Sequence, residues 1–166
     1  MIKNYQEYVN ESAGVELTQE QKNWLEKCTE GTWKFNPQTG LVDVQGDFYC
    51  KDQELDSFKR VRFGHVSGDF KCFINNLTSL EGAPRSVGGN FLCYRNKLTS
   101  LKGFPMEIKG VIDLDSNPIW NEIGPMLKGM SDGDKRFFYK FAAVDQTGDA
   151  ESLERIARSI ERMRMI

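Results

Sequence analysis

Gly68-Asp-Phe70-Lys-Cys72-Phe-Ile-Asn75-Asn-Leu77-Thr-Ser-Leu80-Glu-Gly82-Ala-Pro84 is followed at once by a near copy of itself. The copy reads Gly89-Asn-Phe91-Leu-Cys93-Tyr-Arg-Asn96-Lys-Leu98-Thr-Ser-Leu101-Lys-Gly103-Phe-Pro105. Phe70 and Phe91, Cys72 and Cys93, Asn75 and Asn96, Leu77 and Leu98, and Pro84 and Pro105 are each 21 residues apart. A period in this range marks a solenoid, because one unit cannot bury its own apolar face and must stack on the next. Stacked repeats build binding surfaces, so the pattern points to recognition rather than catalysis.

The pattern extends in both directions with decay. Downstream, Gly110, Ile112, Leu114, Asn117 and Ile119 continue the same positions at the same spacing. Upstream, Gly46-Asp-Phe48-Tyr-Cys50 precedes Gly68-Asp-Phe70-Lys-Cys72 by 22 residues, with Gln53 where the asparagine should be and Leu55 and Phe58 in the next apolar slots. Four coils result, the outer two atypical, as terminal repeats that cap a stack are.

Within one coil the alternation of Phe91 and Cys93 predicts a short strand with both side chains inward. Asn96 follows at the turn, where its amide can bond backbone groups otherwise buried without partners; stacked copies form a ladder. Asn75 and Asn96 are expected to be buried, and Asn117 less completely. Leu98 and Leu101 return to the core, Gly82 and Gly103 relax the turn, and Pro84 and Pro105 stiffen the return segment.

These motifs resemble short bacterial leucine-rich repeats, apolar-x-apolar-x-x-Asn-x-Leu-x-x-Leu with a proline-bearing return; secreted effector proteins carry a close relative. The variant Leu-Thr-Ser-Leu-x-Gly-x-Pro is similar to a repeat of tailed-phage proteins. The resemblance covers Gly46 to Ile119 and implies an α/β fold: a short leucine-rich-repeat solenoid with one parallel strand per coil. It leaves activity open, since repeats of this class serve unrelated partners. Residues 1–45 are read as an N-terminal helical and hairpin cap, 46–120 as the repeats and 121–166 as a C-terminal helical cap.

The flanks support that division. Thr18-Gln-Glu-Gln21 predicts a capping box opening a helix with Trp24, Leu25 and Cys28 on one face and Gly31 as its stop. Thr32–Phe35 and Leu41–Val44, joined through Asn36-Pro-Gln-Thr-Gly40, read as a hairpin. After the repeats, Glu122–Met130 reads as a short segment interrupted by Gly124-Pro125. Ser131 caps a helix bearing Phe137, Phe138 and Phe141. Asp149 opens a last helix with Leu153, Ile156, Ile160 and Met163, whose arginines 155, 158, 162 and 164 read as a solvated face complementing the helix dipole. Tyr5, Tyr8 and Val9 give a further apolar stripe. Residues 1–13 also resemble the capsid-targeting leader of internal head proteins of T-even phages, with cleavage implied after Glu11 and Val9 as the departure from the family pattern.

Composition bounds the function. A charged fraction of 28% and a net charge of −2 describe an ordinary globular chain and give no bulk attraction to nucleic acid. No apolar run is long enough to span a bilayer, and no signal-peptide pattern is present. Cys50, Cys72 and Cys93 share one repeat position; a disulfide between neighbours is geometrically open, but reduced, buried thiols are the expected state without secretion. The spacing holds no zinc motif, and the one histidine, His65, falls on the return segment at the surface. Asp113-Leu-Asp115-Ser-Asn117 begins like a calcium loop, but Pro118 and Gly124 stand where it needs glycine and glutamate. No cofactor, metal or catalytic residue is therefore expected.

The outward strand positions remain. Alternation places Tyr49, Lys71, Leu92 and Asp113 in one row, Lys51, Phe73, Tyr94 and Asp115 in the next, and Asp52, Ile74, Arg95 and Ser116 in a third. Exposed aromatics beside an arginine have the composition of an interaction hot spot; the competing reading is that flanking helices cover them. The expected protein-binding set is Tyr49, Lys71, Phe73, Ile74, Leu92, Tyr94, Arg95, Asp113 and Asp115. A four-strand face of about 250 Å² falls short of the ~800 Å² per partner that a stable interface buries, so flanking elements must contribute. The expected function is non-catalytic binding of a host protein by a phage-encoded module in the host cytoplasm, with modulation of host defence as one purpose. Neither nucleic acid nor membrane is an expected partner. An internal head protein of the virion is the alternative.

Overall fold

The computed structural model describes residues 16–145 and 147–165. The stripe at Tyr5, Tyr8 and Val9 and the cleavage position after Glu11 lie outside them. The chain forms a solenoid of about three turns with helices at both ends. Helix α1 (Gln19–Cys28) leads into an antiparallel hairpin of β1 (Thr29–Asn36) and β2 (Leu41–Tyr49). Short strands follow in pairs: β3 (Phe63–Val66) and β4 (Phe70–Lys71), β5 (Ser86–Val87) and β6 (Phe91–Leu92), β7 (Glu107–Ile108) and β8 (Ile112–Asp113). Helices α2 (Pro118–Lys128), α3 (Asp132–Val144) and α4 (Ala150–Arg164) complete the chain.

The sheet order is β7-β5-β3-β2-β4-β6-β8, with β1 on the other edge of β2. The repeat strands stack parallel in the register the period predicts, Phe48 on Phe70, Phe70 on Phe91 and Phe91 on Ile112. The structure adds a second parallel ladder through the return segments, pairing Val66 with Val87 and Val87 with Ile108. Both ladders start on β2, which carries β3 along Val42–Val44 and β4 along Phe48–Tyr49. The hairpin and the first coil thus share one strand.

Phe48, Phe70 and Phe91 stack face to face through the core, with ring centroids 5.5 and 5.8 Å apart. Helix α1 closes the first coil by setting Trp24 edge-on to Phe48 at 5.2 Å. Its capping box is complete: Thr18 accepts from the Gln21 N–H and Gln21 accepts from the Thr18 N–H. Gly31 does not stop the helix. Thr29 is already extended, and Gly31 instead faces Gly46 in the hairpin, where a Cβ on either would meet the opposite strand's carbonyl at about 2 Å.

Asn75, Asn96 and Asn117 form the expected ladder between coils. The Asn96 amide donates to the Cys72 and Cys93 carbonyls at 3.0 and 3.1 Å, and its Oδ1 accepts from the Leu77 N–H at 3.1 Å. Asn117 departs from expectation. It is the most buried of the three, at 0% exposure against 6% for the others. Helix α2 begins at the next residue and seals it in. Asn117 stands at the N-cap of α2 but makes no side-chain cap bond, because its amide group is committed to Leu98, Cys93 and Leu114. Gln53, which replaces the asparagine in the first coil, reaches α1 and accepts from the Trp24 indole at 2.9 Å.

A further ladder explains the repeated Gly-Asp and Gly-Asn pairs. Asp47 Oδ1 accepts from the Asp69 N–H, Asp69 Oδ1 from the Asn90 N–H, and Asn90 Oδ1 from the Val111 N–H, at 2.7–2.8 Å. Each side chain lies where a Cβ on the next coil's glycine would stand: 2.0 Å for Gly68, 2.2 Å for Gly89 and 2.4 Å for Gly110. The Asn90 N–H holds the Asp69 carboxyl below the usual range, aided by Lys71 and opposed by partial burial.

Cys72 and Cys93 form a disulfide across adjacent coils with Cα atoms 4.9 Å apart, where the sequence favoured reduced thiols. Cys28 and Cys50 are free and buried, and burial pushes both thiols up.

At the C-terminal end α2 runs unbroken through Gly124-Pro125. Its buried stripe of Ile119, Ile123 and Leu127, one residue per turn, holds the helix together despite the lost hydrogen bond at proline. The loop between α3 and α4 docks on the third coil. The Gly148 carbonyl accepts from the Leu101 N–H at 2.8 Å, as the Lys102 carbonyl does from Leu80 one coil earlier. Of the three phenylalanines on α3 only Phe138 is buried; Phe137 and Phe141 are exposed.

Candidate interaction face

Alternation on the short strands turns Phe48, Phe70 and Phe91 inward and Tyr49, Lys71 and Leu92 outward. The outward side chains group differently from simple rows. Tyr49 leans diagonally onto Phe73, with centroids 5.7 Å apart, and Phe73 stacks on Tyr94 at 4.5 Å with planes 7° apart. The three rings make one continuous string across three coils. Each is half-buried.

Lys71 lies beneath it. Its ammonium bonds Asp47 and Asp69, each at 3.2 Å, and sits 5.8 Å from the Tyr49 ring centroid. Partial burial opposes its charge, but the two carboxylates outweigh that and raise its pKa. Lys51 approaches the same ring at 5.5 Å. Tyr49, Phe73, Tyr94 and Lys71 line, with Leu92 and Glu30, a cavity of about 290 Å³. No residue of α2, α3 or α4 lines it. Glu30 lies on β1, and nothing in the repeat signals its participation.

The remaining residues of the expected set spread outward. Asp113 and Asp115 lie on the last coil, one coil beyond Tyr94; Asp113 Oδ1 accepts from the Asp115 N–H at 3.1 Å. Ile74 and Arg95 are exposed, but not as strand positions. The strands end at Lys71 and Leu92, and residues 74 and 95 occupy a left-handed turn with φ of +56° and +52°. Asp52 and Ser116 take the same conformation in the outer coils. Aspartate tolerates that region; for β-branched isoleucine it is strained. Ile74 is nevertheless 37% exposed, so packing only partly offsets the strain. Ile74→Asn is therefore expected to raise unfolding stability by about 1 kcal/mol. A chemical-denaturation midpoint that falls instead would show that Ile74 is held by packing.

His65 is exposed on the return segment, its Nδ1 2.7 Å from Ser86 Oγ. Among the described residues no three metal-capable side chains cluster, and no helix is long and apolar enough to cross a membrane. Comparison with protein-family models, with curated proteins and with solved structures found no match.

Proposed function

We propose that the protein is a non-catalytic interaction module that binds a partner protein through the aromatic string Tyr49–Phe73–Tyr94. The observation that carries this reading is the string itself, flanked by a strained Ile74. The fold demands none of it, since the positions of Phe73 and Tyr94 hold Lys51 and Asp115 in the outer coils. Stacked rings with the exposed Arg95 alongside have hot-spot composition and lose little side-chain entropy on binding. Lys71, neutralised by Asp47 and Asp69, positions Tyr49 rather than meeting a partner directly. Glu30 extends the face onto the hairpin, which adds area that the strands alone lack.

The resemblance of the coils to leucine-rich repeats of tailed phages supports a phage-encoded protein acting on a host protein in the host cytoplasm, with defence as one target. A virion-associated internal head protein is the second reading, favoured by the leader-like residues 1–13. Mass spectrometry of purified particles separates the two: a chain beginning at Ser12 inside virions supports the second.

The face itself is tested by Phe73→Ala combined with Tyr94→Ala. A partner captured from host lysate by the parent protein is expected to lose at least about 2 kcal/mol of affinity, roughly thirtyfold, while the melting temperature changes little. A double variant that melts like the parent and binds equally well removes this face from consideration.

A further inference from the structure

Every coil but the last hands hydrogen bonds forward. Phe48, Phe70 and Phe91 donate to the Asp69, Asn90 and Val111 carbonyls at 2.8–2.9 Å. The Gly46, Gly68 and Gly89 carbonyls accept from Gly68, Gly89 and Gly110 at 2.9 Å. The Val66 and Val87 carbonyls accept from Gly88 and Lys109 at 2.8 and 3.1 Å. In the last coil the equivalent residues are Ile108, Gly110 and Ile112. They belong to or join β7 and β8, the two ends of the sheet, so among the described residues no further strand meets them.

These residues are the alternate positions of one free edge. Their side chains show the same lack of a successor: Val87 and Phe91 are buried, whereas Ile108 and Ile112 are only half-buried. Helices α2 and α3 do not close the gap. They stand off the edge, leaving adjoining cavities of about 780 and 520 Å³ that share Gly110, Ile112, Lys135 and Tyr139. Trp120 and Leu127 add apolar wall. Burial, reinforced by Asp115, pushes the Tyr139 hydroxyl up to about 12, so it stays a neutral donor at the cleft. The charged lining is one-sided: Lys109, Lys128, Lys135, Arg136 and Lys140 face only Glu107 and Asp132.

We propose that this cleft is a second binding site, which takes an extended acidic segment of a partner protein by strand addition to the last coil. Main-chain groups of Ile108, Gly110 and Ile112 supply the bonds that the missing coil leaves open. Alternate apolar side chains of the segment enter against Ile112, Trp120 and Tyr139. Carboxylates between them meet the lysines. Affinity in such additions comes from main-chain bonds and specificity from the side-chain pockets. The site lies at the end of the solenoid, apart from the aromatic string.

Fluorescence anisotropy of the full chain with labelled Asp-Val-Glu-Val-Glu-Val-Asp tests it. The acidic peptide is expected to bind. Its counterpart with lysine at every acidic position and its version N-methylated at alternate amides should each bind at least about tenfold more weakly. Lys109→Glu combined with Lys135→Glu should weaken the acidic peptide by about tenfold or more with an unchanged melting curve. The Phe73→Ala, Tyr94→Ala protein should bind it as the parent does. Any of four results overturns the proposal: no binding of the acidic peptide, equal binding of the N-methylated one, equal binding of the lysine one, or self-association of the chain that the two lysine substitutions abolish. The last would assign the edge to a second copy.

Discussion

Gly103→Ala is expected to lower unfolding stability by about 4 kcal/mol, from two separate causes. Gly103 has φ +87°, outside the range that alanine readily adopts. A Cβ there would also stand 2.2 Å from the Leu80 carbonyl oxygen and 2.6 Å from the Glu81 nitrogen. Both contacts are backbone of the preceding coil, so relief requires the coils to part. Gly40→Ala separates the two causes. Gly40, in the hairpin turn, has φ +69° but nothing within 4 Å of the place a Cβ would take, so it bears only the conformational penalty of about 1–2 kcal/mol. Denaturant unfolding of both variants measures the difference. If Gly103→Ala loses no more than Gly40→Ala, the coils do not approach closely enough at Leu80 to exclude a methyl group.

Asn96→Ala should cost about 2–3 kcal/mol, because it strands one buried donor and strips a bond from two buried carbonyls. The Leu77 N–H loses its acceptor, and the Cys72 and Cys93 carbonyls each lose one donor while keeping Asn75 and Asn117 respectively. Asn96 sits at 6% exposure inside the stack, with Asn75 and Asn117 on the neighbouring coils, so water has little access to replace the amide. A small residue leaves the Leu77 N–H unpaired, and a buried unpaired polar group costs more than a hydrogen bond contributes. Thermal melting of the variant tests this, and a melting temperature equal to the parent's would remove the ladder as a source of stability.

Both predictions come from positions that the repeat exposes in the sequence, and they show where such reading is strong. The repeated asparagine was legible because its role recurs in three successive coils. The recurring Gly-Asp and Gly-Asn pairs carried a signal of the same kind. Their meaning, a side chain of one coil filling the space beside the next coil's glycine, needs two coils in register before it can be seen. Ile74 and Arg95 were placed outward correctly, but strand alternation was the wrong cause: the chain turns left-handed there. The aromatic string was half legible. Phe73 and Tyr94 share a repeat position, whereas Tyr49 joins them only because its ring leans diagonally, and Glu30 comes from an element without repeat character.

By itself the sequence determined the parallel stack, its register, the inward faces and the helical caps. The first three follow from a 21-residue period imposed on alternating apolar positions, since a period reports any conformation that every unit shares, and the caps follow from local capping signals and helical apolar spacing. Tertiary structure alone decided what happens where the period stops. Helix α2 follows directly on Asn117 and buries it, and the stripe of Ile119, Ile123 and Leu127 carries that helix through Pro125. The loop at Gly148 supplies the Leu101 bond that another coil would have made, while Ile108, Gly110 and Ile112 keep an open edge. These outcomes depend on contacts between segments far apart in the chain, each made once, and a contact made once leaves no repeating signature to read.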